Sequence, residues 1–146
     1  AEALGEAGYE VTAFDLSAAA IAWARERFPH SRVNYQAADL FDLPAEWRGR
    51  FDLVHECYTI QALQGDLRDK AFAAIAGLVA PGGHLLVICR SRPDDVEPEG
   101  PPWPLSQREL ARFTKCGLRE VSAQAFDVVE PDRTIAHLRA LFTRDE

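Results

Sequence analysis

Apolar residues along the chain recur in two rhythms, one of period two and one near 3.6, and their order predicts the elements. In residues 9–14, Tyr9, Val11 and Ala13 alternate with Glu10, Thr12 and Phe14, which predicts a short strand ending at Asp15. Ahead of it, Ala3, Leu4 and Ala7 at helical spacing before Gly8 read as the tail of a helix with a glycine cap. Behind it, Ser17 can cap a helix over 18–28 in which Ile21, Ala24 and Phe28 line one face and Pro29 ends the run, an amphipathic pattern. Residues 32–37 and 51–57 read as the next two strands. Leu67, Ala71, Ile75 and Leu78 then mark a helix behind Gly65 and Asp66, stopped by Pro81, Gly82 and Gly83. Residues 84–89 (HLLVIC) are nearly all apolar, the pattern of a strand covered on both faces.

Strands that alternate with crossover helices form a parallel sheet. Residues 90–104 are charged, rich in proline and too poor in apolar residues to pack, so they are expected to form a surface loop over the sheet. A capped helix follows over 106–116, with Leu110 and Phe113 inward and Gly117 at its end. Residues 118–129 and 135–143 read as two strands joined by Glu130, Pro131 and Asp132, and without a crossover helix they must pair antiparallel. The expected class is α/β, a mostly parallel sheet flanked by helices with a C-terminal antiparallel strand pair.

Composition narrows the partners. The chain has 146 residues, 47% of them hydrophobic, which is enough for one domain and no more. Lysine and arginine number 16 against 23 acidic residues, a net charge of −7 that argues against nucleic acid as a partner. No apolar run approaches the roughly 20 residues of a membrane helix, and no leader opens the chain, so a soluble, cytoplasmic protein without membrane contact is expected. Cys57, Cys89 and Cys116 lack CxxC spacing and read as buried thiols. The four histidines lack metalloprotease spacing, so no metal site is expected.

In an open parallel sheet the ligand crevice lies outside the carboxyl ends of the strands. Asp15 follows the first strand, where a carboxylate can accept both hydroxyls of a ribose; capping of the next helix is its plainer role. Asp39 follows the second, where a carboxylate can accept an exocyclic adenine amine while Leu16 and Leu40 press on the ring faces; a polar loop with one core leucine is equally compatible. Glu56, Cys57 and Tyr58 close the third strand, the candidate reaction zone. Glu56 can bind an ammonium group or take a proton, and Tyr58 can line an acceptor pocket; solvation at a strand end for Glu56 and core packing for Tyr58 are the competing readings. His55 points away from Glu56 by strand alternation and reads as structural.

The segments Val11-Thr12-Ala13-Phe14-Asp15-Leu16-Ser17, Ala38-Asp39-Leu40, Phe51-Asp52-Leu53-Val54 with Glu56, Pro81-Gly82-Gly83-His84-Leu85-Leu86-Val87 and Pro102-Trp103-Pro104-Leu105, in this order and spacing, resemble the class I S-adenosylmethionine-dependent methyltransferases. Within that family the chain is most similar to the small-molecule group typified by thiopurine methyltransferases. The resemblance covers nearly the whole chain and implies a Rossmann-like fold, S-adenosylmethionine as cofactor and in-line methyl transfer to a small molecule. By resemblance Asp15 holds the ribose, Asp39 the adenine amine, and Leu16 and Leu40 the ring. The turn after Val54, Cys57 included, holds the methionine portion, and Glu56 and Tyr58 face the reaction.

The family's first strand and glycine-rich turn would lie before Ala1. The chain therefore reads as a single, N-terminally incomplete methyltransferase domain over 1–146, expected to bind cofactor poorly on its own. A homodimer that lends a strand is another way to fill the gap. Two other functions remain open: a non-catalytic Rossmann-like scaffold or dimerising fragment, and a nicotinamide-dependent oxidoreductase, which the acid after a strand also fits.

Overall fold

A computed structural model describes all 146 residues, which divide into two units, Ala1–Leu43 and Pro44–Glu146. The first unit holds α1 (Glu2–Glu6), β1 (Thr12–Asp15), α2 (Ala18–Arg27) and β2 (Asn34–Ala37). The two strands pair in parallel from Thr12 with Asn34 to Asp15 with Ala37, joined by α2 as crossover. Ser17 caps α2 by accepting the Ala20 N–H at 3.2 Å. Both strands are shorter than expected: Tyr9 and Glu10 stay outside the sheet, where Tyr9 is exposed. The predicted amphipathic stripe of α2 is only partly realised. Ile21 is buried, whereas Phe28 and Trp23 are exposed and the Arg27 guanidinium lies over both rings.

The second unit holds β3 (Phe51–Cys57), α3 (Gly65–Ala76), β4 (Val79–Arg90), α4 (Gln107–Leu110), β5 (Arg119–Glu130) and β6 (Arg133–Thr143). Its sheet runs β3-β4-β6-β5, parallel between β3 and β4 and antiparallel on either side of β6. β1 and β3 thus belong to different sheets, and each pairs with one strand only.

One face of this sheet makes the core. Leu85, Val87 and Cys89 of β4 and Leu138, Ala140 and Phe142 of β6 are buried, each at a period of two. The other face of β4 is half covered, so the expectation of a strand buried on both faces does not hold: His84 is exposed and Leu86 and Ile88 are intermediate. Phe113 stacks between Phe72 and Phe142, with ring centroids 4.7 and 5.2 Å away. Phe72, Phe113 and Phe142 are each no more than 1% exposed, and burial of this kind contributes about 1.5–3 kcal/mol per side chain.

Three local expectations are corrected. Pro81, Gly82 and Gly83 do not precede β4 but sit inside it: Val79 already pairs with Phe51, and pairing resumes at His84 with Leu53 after a bulge. Gly83 fits that bulge because a Cβ there would lie 2.9 Å from the Ala80 carbonyl oxygen and 3.0 Å from that of Phe51. The buried stripe of α3 is Arg68, Ala71, Phe72 and Ile75, while Leu67 is exposed. The late helix has a capping box between Ser106 and Glu109 but is α-helical only to Leu110, continuing as a 3-10 segment to Cys116 before Gly117 at φ +81°.

Candidate functional site

Parallel pairing in the first unit decides where its acids go. Because Asp15 lies opposite Ala37, Asp15 and the loop containing Asp39 and Leu40 leave the sheet at the same carboxyl end. Asp15 Oδ1 accepts the Ser17 N–H at 2.7 Å, and Asp39 Oδ1 accepts the Phe41 N–H at 2.9 Å. Each acid therefore closes a turn in its own loop with one oxygen, while the cap of α2 is Ser17. Both acids are exposed, and Leu16 beside Asp15 is 74% exposed. Leu40 is half-buried.

The second unit carries Glu56, Cys57 and Tyr58 at the carboxyl end of β3. Glu56 is not solvated, as a strand-end acid would be, but 5% exposed. One of its oxygens accepts the N–H groups of Thr59 and Ile60 at 2.7 and 3.1 Å, which starts the 3-10 turn Ile60–Ala62. The other oxygen is buried without a partner. Burial pushes the carboxyl up to about 7 against the pull of those two N–H groups, so the acid stands near its midpoint at neutral pH.

Cys57 is exposed, not a buried thiol as its sequence context suggested; partial burial and the neighbouring Glu56 push its pKa up. Cys116 is intermediate, and only Cys89 meets the expectation, its thiol pushed up to about 12 mainly by burial. No group of three or more ligating side chains is placed to hold a metal. No helix is long and apolar enough to cross a membrane.

Tyr58 is not packed into the core. It is 43% exposed at φ +70°, the one non-glycine residue with positive φ, and its N–H donates to the Ile88 carbonyl at 3.2 Å. Its hydroxyl is 2.9 Å from Nε2 of His137 on β6, a residue sequence reasoning did not single out. The only route to that histidine is the β4–β6 register, which sets His137 opposite Arg90 at the same sheet end.

The surface loop expected after β4 is tied down around Trp103, whose N–H donates to the Gln61 carbonyl at 2.8 Å. Arg68, 6% exposed, donates to the carbonyls of Leu63 and Trp103 and to Glu109, and Arg92 pairs with the other Glu109 oxygen at 2.5 Å. A cavity of about 370 Å³ between α3 and this loop is lined by Arg68, Trp103 and Glu109, groups that already satisfy one another.

Residues 1–87 match the family described as methyltransferase domain. Among curated proteins, thiopurine S-methyltransferase of Vibrio vulnificus is 28% identical over 90 residues, covering 62% of this chain and 40% of that protein. The chain spans less than half the length of the curated relatives it matches. Two solved structures share the fold. A SAM-dependent methyltransferase of Methanosarcina mazei superposes with a TM-score of 0.82 at 12% identity, over 98% of this chain and 85% of its own. The 1,6-didemethyltoxoflavin-N1-methyltransferase of Burkholderia thailandensis, solved with bound 1,6-didemethyltoxoflavin and S-adenosylhomocysteine, gives 0.73 at 21%, over 97% and 64%.

Proposed function

The chain belongs to the methyltransferase-domain family, with the Rossmann-like class I fold, and on that premise we propose that it serves S-adenosylmethionine-dependent methyl transfer to a small-molecule acceptor. The observation that carries the reading is the shared sheet end of Asp15 and Asp39, with Leu16 exposed beside them. The cofactor presents mainly donors to a protein: two ribose hydroxyls, an adenine amine and an ammonium group. In the first unit the two acids at one sheet end suit the ribose and the adenine amine, and in the second the unpartnered buried oxygen of Glu56 suits an ammonium.

In this reading Asp15 accepts the ribose hydroxyls and Asp39 the adenine amine, each with the oxygen its loop does not use. Leu16 and Leu40 cover the ring faces, and Cys57 lies along the methionine portion. Glu56 receives the ammonium, which would hold its carboxyl ionised where burial alone leaves it near its midpoint. When bound, the cofactor supplies an electrophilic methyl group for in-line displacement. The chain's own work is to position the acceptor and exclude water from it, Tyr58 lining the acceptor side. Residues 1–146 on their own bind the cofactor weakly in this reading, since β1 and β3 each pair on one edge only.

Calorimetry with S-adenosylhomocysteine tests the proposal. Micromolar binding by residues 1–146 would overturn the weak-binding part. A co-complex of a longer polypeptide with the nucleoside away from Asp15 and Asp39 would overturn the site. The match to the methyltransferase-domain family supports this reading over a nicotinamide oxidoreductase, which the acid after a strand and the parallel sheet also fit.

A further inference from the structure

His137 is 2% exposed, yet its imidazole has a definite polarity. Nδ1 lies 2.8 Å from the Ile135 carbonyl oxygen. A carbonyl only accepts, so Nδ1 carries the ring proton and Nε2 of the neutral ring is an acceptor. The Tyr58 hydroxyl, 2.9 Å from Nε2, is therefore the donor of that bond. Its proton is directed inward, and the lone pairs of the phenol oxygen stay available to a donor arriving at the exposed side of Tyr58. Phe126 flanks the imidazole at 5.3 Å between centroids and Tyr58 at 5.7 Å, which fixes the ring plane. Both residues stand at the carboxyl ends of the parallel strands: Tyr58 directly follows β3, and His137 pairs with Arg90, the last residue of β4. The left-handed backbone of Tyr58 is what turns its side chain toward β6 instead of continuing the strand.

We propose that Tyr58 and His137 form a proton relay that serves the methyl acceptor, and that the acceptor is methylated on an N–H or O–H group and not on a thiol. The proposal rests on the methyl-transfer reading above. As the acceptor heteroatom's lone pair takes the methyl, the methyl–sulfur bond of the sulfonium breaks with its electron pair left on sulfur as a thioether, and the acceptor's N–H or O–H bond breaks with its proton passing to the Tyr58 oxygen. The Tyr58 proton passes at the same time to His137 Nε2. One bond to hydrogen is lost on the acceptor and one is gained on His137, Tyr58 is unchanged, and no electrons are exchanged. His137 ends as imidazolium and returns the proton to water once product leaves. A thiol reaches its thiolate near neutral pH without help and would not need this device. Tyr58 is the catalytic residue; His137 acts through it as a positioning residue.

The test uses a polypeptide that binds S-adenosylhomocysteine, labelled with nitrogen-15 in its histidines. The ring spectrum is expected to show a protonated Nδ1 and an unprotonated Nε2, and Tyr58→Phe should move the Nε2 resonance while leaving Nδ1 in place. Phenol added with S-adenosylhomocysteine should move Nε2 further in the parent and not in Tyr58→Phe. In turnover with phenol, aniline and thiophenol as probes, Tyr58→Phe and His137→Phe should each lower kcat on phenol and aniline by about 100-fold with the cofactor KM unchanged. His137→Gln, which keeps a hydrogen-bond acceptor for Tyr58 but cannot take its proton, should recover little of it, and thiophenol should lose little. A proton on Nε2, an Nε2 resonance indifferent to Tyr58→Phe, or an equal loss on thiophenol overturns the relay while the methyl-transfer reading stands. A co-complex of that polypeptide with the nucleoside away from Asp15 and Asp39 overturns the methyl-transfer reading, and the relay with it.

Discussion

Glu56 holds the backbone N–H of Thr59 at 2.7 Å with one carboxylate oxygen while its other oxygen is buried without a partner. The acid thus builds the turn after β3 and keeps an unmet acceptor at the strand end. Stability against pH reports that burial. The carboxyl ordinarily titrates near 4.5 and is pushed up to about 7 in the fold, so between those values the native state holds more protons than the unfolded chain. Stability from this group is fully present below pH 4.5 and is lost as pH rises through 7, by roughly 3 kcal/mol. Urea unfolding at pH 5 and pH 8 should show the decline in the parent and a flatter profile in Glu56→Gln, whose amide oxygen still accepts from Thr59. Equal pH slopes would contradict it.

Asp15 and Asp39 hold their loops through one oxygen each, and asparagine retains that oxygen. Asp15→Asn and Asp39→Asn should therefore melt within a degree or two of the parent. In a polypeptide that binds S-adenosylhomocysteine, each should weaken binding about tenfold or more, the loss of a charge-assisted hydrogen bond. Calorimetry and thermal melts on the same samples separate the two effects; unchanged affinity in both variants would remove the acids from the site.

Arg68 joins α3 to the loop through Leu63, Trp103 and Glu109 while nearly excluded from water. Arg68→Met should cost about 3 kcal/mol in denaturant unfolding, because two part-buried carbonyls and the Glu109 carboxylate lose their donor. Arg68→Lys should recover little, since an ammonium lacks the planar fork that reaches all three partners. A full recovery by lysine would show that charge alone holds the loop.

Gly83 lies in the bulge of β4 with three backbone oxygens inside 3.2 Å of where a Cβ would stand. Gly83→Ala should destabilise by about 2 kcal/mol, since none of these neighbours is the end of a flexible side chain. Gly8→Ala is a useful contrast: nothing lies within 4 Å of its Cβ, and only the φ of +93° opposes the substitution. Equal melting temperatures for Gly83→Ala and the parent would contradict the steric reading.

Local chemistry was legible in the chain. β3 runs over the expected residues because its apolar run sits between turn-forming segments, α2 starts at its Ser17 cap, and the C-terminal strand pair follows from the absence of a crossover helix. The acids after β1 and β2 were likewise visible, since a position just past a strand is a sequence property. The start of β4 was missed because Pro81-Gly82-Gly83 has the composition of a helix stop, and only pairing with β3 shows the run to be a bulge.

What the residue pattern could not contain is which distant groups share one environment. Glu56 has the composition of a solvated strand end, and its burial exists only once the turn to Ile60 folds over it. Arg68 is charged and no part of the apolar stripe of its helix, and it is buried through Trp103 and Glu109, some forty positions away. His137 meets Tyr58 across 79 positions through the β4–β6 register. Periodicity and capping act over a few residues and so are written in sequence. Desolvation and proton sharing depend on summed contacts from separate strands, and those are decided by the packing of the whole unit.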